Sequence, residues 1–196
     1  MDNKTTASAI PANNMIIAIL IFAQIPIMFG QLPTTAFLCA LPWLLAAYPV
    51  ILICVVMMFK NGEFVDATMN AILSGVLMGQ NFVRGIMLLT MLNAGSQLPA
   101  DLQSASFLID KWVYLAGGII LIFAGWLAHF KSKMAATGVW CGAIGFLALA
   151  CLNAGFGDVF GLIGGIGLVI LGIYLLYSGI AMLVNMTIGK DLFPLK

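Results

Sequence analysis

Long apolar runs alternate with short polar breaks along the whole chain. The breaks fall near residues 30–35, 60–66, 94–111, 129–136 and 154–158 and leave six apolar stretches. About 20 apolar residues in a helix cross a bilayer core of ~30 Å. The pattern predicts an all-α polytopic membrane protein of six transmembrane helices. The predicted spans are Asn14–Phe29, Thr35–Phe59, Ala67–Leu92, Trp112–Ala128, Ala136–Asn153 and Val159–Met186. They make up one membrane domain, 14–188, between a polar N-terminus, 1–13, and a short tail, 189–196. The opening residues MDNKTTASAIPAN are polar but weakly basic, and no small-x-small cleavage site follows them. The first span is therefore expected to be retained rather than removed as a signal peptide.

Charge sharpens this picture. Of eight basic and seven acidic residues, only Arg84 lies well inside an apolar run. Six lysines (Lys4, Lys60, Lys131, Lys133, Lys190 and Lys196) share one side of the expected topology, against Lys111 on the other. Basic residues at span ends favour the cytoplasm, so both termini are expected there, in a cell membrane. Helix ends MMFKNG and AHFKSK are alike. They fit three helical hairpins, either as an internal repeat or because Phe and Lys recur at membrane interfaces.

Several function classes fall away. A net charge of +1 offers no basic face for nucleic acid. There is one histidine, His129, at the end of the fourth span, where a headgroup position suits it better than acid–base work. The chain has no HExxH, no GxSxG and no acid pair at membrane depth. Cys39, Cys54, Cys141 and Cys151 fall within spans without a CxxC pair, and read as small buried hydrophobes. Neither enzyme activity, a metal nor a cofactor is expected.

What remains is glycine and neutral polar residues. Gly157, Gly161 and Gly165 repeat at spacing four in the last span, as do Gly75 and Gly79 in the third and Gly138 and Gly142 in the fifth. Such stripes let helix backbones approach closely. Helix packing within one chain, oligomer contacts and widening of a lumen are all compatible with them. Asn70, Ser74 and Asn81 share a face of the third span, where they either bond neighbouring helices or line a narrow wet path. Arg84 lies ~12 Å inside the expected outer end of that span. Its guanidinium either snorkels outward or faces a vestibule and attracts anions.

The closing run YLLYSGIAMLVNMTIGKDLFPLK resembles the end of the acetate uptake transporters, the succinate–acetate permease family. That family closes with a late Asn followed by Gly-basic-x-x-x-Pro-Leu/Ile, matched here by Asn185, Gly189, Lys190 and Pro194-Leu195. FKNGEF resembles the turn after the family's second helix, though one residue shorter. WVYLAGGIILIFAGWLAHFKSK and FLALACLNAG, with Asn153, resemble its fourth and fifth helices. The chain departs from the family at the N-terminal Asn-Pro-Ala-Pro-Leu-Gly-Leu signature, of which only Asn13 survives. It departs again at Ala46–Ile51, which reads AAYPVI.

The resemblance implies a homo-hexamer in membrane lipid, each protomer passing acetate or succinate through an apolar constriction. Carried over, the constriction falls on Phe22, Ile72 or Leu73, and Gly142, with Asn13, Asn70 and Asn153 offering hydrogen bonds. A urea or short-chain amide channel is the alternative transport reading, and a structural subunit of a membrane complex is the alternative of another class.

Overall fold

The computed structural model describes residues 7–32, 36–75, 80–95 and 100–195. Seven helices follow one another: α1 (Ile10–Met28), α2 (Phe37–Lys60), α3 (Phe64–Leu73), α4 (Gln80–Ala94), α5 (Ala100–His129), α6 (Lys133–Asn153) and α7 (Val159–Ile188). No strand occurs among the described residues. Five helices carry an apolar stretch long enough to cross a bilayer: α1, α2, α5, α6 and α7. Large apolar side chains point outward, including Trp43, Phe123 and Ile173, each more than half exposed. In water such a surface would aggregate; against lipid it is the expected exterior.

Along the predicted third span the described residues form α3, of 10 residues, and α4, of 15 residues; residues 76–79 lie outside the described residues. Ser74 bonds its hydroxyl back to the Ala71 carbonyl (2.8 Å), and the helix widens to a π-type turn at Ser74–Gly75. Gly75 meets nothing within 4 Å where a Cβ would stand, so it makes no helix contact; Gly79 lies outside the described residues. Asn70 in α3 reaches Met58 near the end of α2, and Gly85 in α4 lies against Leu41 near its start. The two short helices thus run back along α2 in sequence.

The second difference is at the predicted fourth span. Helix α5 begins at Ala100 rather than Trp112, although its span-length apolar part starts at Leu108. Hydropathy marks where a helix meets lipid, and α5 extends past that limit. At the front, Ser8 Oγ accepts from the Ile10 amide (3.2 Å) and Pro11 occupies the first turn, so α1 starts four residues before Asn14.

Glycine sets the spacing of the bundle. A methyl group at Gly167 would lie 2.6 Å from the Cys141 carbonyl oxygen and 2.9 Å from Gly145 Cα, so α6 and α7 touch backbone to backbone. On another face of α7, Gly165, Gly172 and Gly179 meet Phe29, Ile21 and Pro11, which sets α1 antiparallel to α7. Helix α5 takes Leu147 and Trp140 of α6 over Gly118 and Gly125. The expected packing stripe changes accordingly. Gly161 rests against Leu152 of α6 and Gly165 against Phe29 of α1, whereas Gly157 precedes the helix at φ +124° with nothing within 4 Å. Gly157 is a turn residue, not a packing one.

The tail folds back on α7. Gly189 ends the helix in the left-handed region at φ +70°. Asn185 Oδ1 then accepts from the amides of Leu192 (2.9 Å) and Phe193 (3.0 Å), and its Nδ2 donates to the Phe193 carbonyl (2.8 Å). The Tyr177 hydroxyl donates to the Pro194 carbonyl (2.9 Å). Of the residues singled out in the tail, Asn185, Gly189 and Pro194 are therefore parts of one clasp.

Gly167→Ala should destabilise the protein by roughly 1–3 kcal/mol, because the added methyl meets the α6 backbone at Cys141 and Gly145, which cannot swing aside as a side chain can. Gly161→Ala, which meets only the end of Leu152 at 3.3 Å, should change stability by under ~1 kcal/mol. Thermal unfolding of both variants in detergent checks the contrast.

Candidate functional site

A cavity of about 10 Å³, room for one water, lies at the centre of the bundle. It is walled by α1, α3, α5, α6 and α7. Leu73, Leu121, Val139 and Leu171 give it apolar sides, and Asn14, Asp66, Asn70 and Tyr174 supply the polar groups. Asn14 and Asn70 are almost fully buried, at 4% and 3% exposed. A buried amide costs free energy unless its donors and acceptors are matched. Asn14 Nδ2 donates to Ser178 Oγ (3.1 Å), and Asn70 Nδ2 donates to the Asp66 carbonyl (2.9 Å). The Oδ1 atom of each has no partner. The Asp66 carboxylate pairs with Lys131 of the α5–α6 turn (3.4 Å), at the half-exposed rim of the site.

Of the sequence-predicted residues, Asn70 and Leu73 are brought together at this cavity, and Ser74 is buried one residue beyond Leu73. Ile72 is half-buried beside them. Gly142 stands on the α6–α7 seam, where an added Cβ would meet Leu171, itself a cavity residue, at 2.7 Å. Phe22 is half-buried and packs at the level of Gly172. Asn13 is fully buried in the first turn of α1, and neither of its amide atoms has a partner, but it does not line the cavity.

Asn153 stands apart from this group. It lies fourteen residues along α6 from Val139, about 21 Å away, and its amide donates to the Leu149 carbonyl of its own helix (2.9 Å). The Asn81 side chain lies outside the described residues.

Two residues went unread in the sequence. Asn14 carries the contact expected of its neighbour: one position along a helix turns a side chain by about 100°. Asp66 was assigned to a break and proves to be in the first turn of α3.

Arg84 has a partner that its position alone did not announce. Its guanidinium forms an ion pair with Asp110 of α5. The Asp110 side chain is only 8% exposed and that of Arg84 27%. The pair ties α4 to α5, and each charge offsets the other. His129 stacks on Trp140 at 6.0 Å between ring centroids. Beyond the opposite end of the cavity, Met28, Phe29, Gly30, Leu152, Asp158, Gly161 and Leu162 line an open depression of about 300 Å³.

The chain is a polytopic helical bundle with a small polar cavity between apolar walls. The fold is similar to that of the bacterial acetate channel SatP, with a TM-score of 0.70 and 15% identity over 97% of this chain and 99% of that one. No family model matches the sequence, and no curated protein matches it.

Removing the Arg84 charge should destabilise the protein more than removing both charges. Arg84→Gln leaves Asp110 buried without its partner, at a cost of about 1–3 kcal/mol, whereas adding Asp110→Asn recovers most of that loss. Thermal unfolding of the single and double variants in detergent measures the difference.

Proposed function

We propose that the chain is a small-solute permease or channel of the acetate uptake transporter type, passing acetate, another small monocarboxylate or succinate through each protomer. The observation that carries this reading is the fold likeness to an acetate channel along essentially the whole of both chains. The tail clasp built on Asn185 supports it, since its residues are those that resemble the family's closing signature.

In this reading α3 and α4 together make one traverse, giving six, and the lysine-rich end that carries both termini faces the cytoplasm. Phe22, Ile72, Leu73 and Gly142, with Leu171, form the apolar constriction. Hydrated ions are rejected there by their desolvation cost, while a small solute of low charge passes. Asn70 and Ser74, together with Asn14, offer the polar contacts inside, and Asn13 and Asn81 extend them along the path. The depression beside Phe29 and Leu162 is the outer mouth, with Asn153 one residue past its Leu152 wall. Arg84 orders that side through its ion pair with Asp110. Six copies assemble in the membrane.

A urea or short-chain amide channel is the second reading, favoured by the neutral amides at the cavity. Purified protein in liposomes should take up labelled acetate faster than labelled urea, measured against protein-free vesicles. Faster urea uptake selects the second reading, and uptake of neither overturns both.

A further inference from the structure

The central cavity has room for one water, so it is closed to acetate and urea alike. A solute can use it only when a wall moves, and four of its five walls are held firmly. Helices α6 and α7 meet backbone to backbone at Gly145 and Gly167. Helix α1 sits on Gly165, Gly172 and Gly179 of α7 and is bonded to it through Asn14 and Ser178 (3.1 Å). Helix α5 takes Leu147 and Trp140 of α6 over Gly118 and Gly125, and the Trp140 indole donates to the Ile122 carbonyl of α5 (3.2 Å). Packing this close resists gradual deformation.

The fifth wall, α3, is held differently. It is 10 residues long, entered through a turn at Gly62 (φ +77°) and followed by the π-type turn at Ser74–Gly75. Its sequence, FVDATMNAIL, has no glycine to seat a neighbouring backbone. Ala67 packs with Met58 of α2, and Asn70 bonds within its own helix and to the Met58 sulfur (3.9 Å). Toward the α5–α6 hairpin, its polar contact among the described residues is the ion pair of Asp66 with Lys131 (3.4 Å). Asp66 stands in the cavity wall; Lys131 lies outside it, in the turn between α5 and α6.

Exposure separates this ion pair from the one at Arg84. The Asp110 carboxylate is 8% exposed, and a pair so buried is costly to part. The Lys131 and Asp66 side chains are 60% and 24% exposed. Pairs this exposed shift an equilibrium by about fivefold at most. A contact of that strength makes a poor brace and a serviceable latch.

We propose that Lys131 and Asp66 form a latch on the central cavity. Paired, they hold α3 against the α5–α6 turn and close the lysine-rich end. Parted, they let α3 lean away with the end of α2 packed on it, and the cavity opens to that side. The proposal rests on the permease reading above and adds the element that moves.

Full-length protein in liposomes, with labelled acetate as probe and protein-free vesicles as baseline, tests the latch through a residue that does not line the cavity. Lys131→Ala should raise protein-dependent uptake by up to about fivefold. Lys131→Gln, a second neutral variant, should do the same, and Lys131→Arg should keep the wild-type rate. The direction is diagnostic, since a lysine that only gathered anions would slow uptake when removed. Raising salt from ~0.01 M to ~1 M shortens the screening length from ~30 Å to ~3 Å. It should speed the wild-type protein and leave Lys131→Ala unchanged. Asp66→Cys with Lys131→Cys, joined by a short reducible thiol cross-linker, should lose uptake and regain it on reduction. Wild-type protein treated alike is the control for the native cysteines. Lys131→Ala uptake no faster than wild type, or a cross-linked protein that still carries acetate, overturns the latch and leaves the permease reading standing. Absence of uptake by the wild-type protein and Lys131→Ala alike overturns the permease reading and the latch with it.

Discussion

The close approach of α6 and α7 is the constraint on which the rest of the bundle depends. Lipid tails are as apolar as leucine, so in a membrane no hydrophobic force presses helices together, and they are held by contact and by matched polar groups. Gly145 and Gly167 supply that contact by removing every side-chain atom between the two backbones. With α7 seated on α6, its opposite stripe of Gly165, Gly172 and Gly179 takes α1. Leu171 and Tyr174 then reach the centre from between the two stripes, and the cavity exists because they do.

Polar groups at the centre form a chain of dependencies rather than a set of separate contacts. Leu175 takes the Ser178 proton, Ser178 takes the Asn14 amide, and Asn14 is left with an oxygen toward the cavity. On the facing side the half-length helix α3 presents Asn70 and Asp66 from adjacent turns. Helix α3 meets α1 and α5, while α4 follows α2 and is fastened to α5 by Arg84 and Asp110.

Most of the architecture was legible in the apolar runs, because lipid demands a helix wherever it touches the chain. Five of the six runs emerged as long helices. The third run carries two described helices, α3 and α4, with a π-type turn at Ser74–Gly75 following the first. Spacing of four correctly marked glycine as the packing residue of α7 but assigned it one stripe. A helix with two partners carries two stripes, and toward α1 the working interval is seven. Arg84 stood out by its charge, while Asp110 did not, since it sat within a polar break that proved to be helix. Asn70 and Leu73 were found by type and position. Asn14 was missed by one residue, because the alignment of a lost signature fell on Asn13 and single-residue phase on a helix decides which side chain faces in.

One feature of the packing order has a consequence for how the molecule is made. The principal neighbour of α1 is α7, and the Asn14–Ser178 bond joins residues 164 positions apart. During synthesis α1 is made well before α7 and carries Asn13, Asn14 and Gln24, all of which end up buried. Contacts so distant in sequence form late. Until then those amides must be satisfied by water, headgroups or the insertion machinery, so the polarity that serves the finished cavity is first a demand on biogenesis.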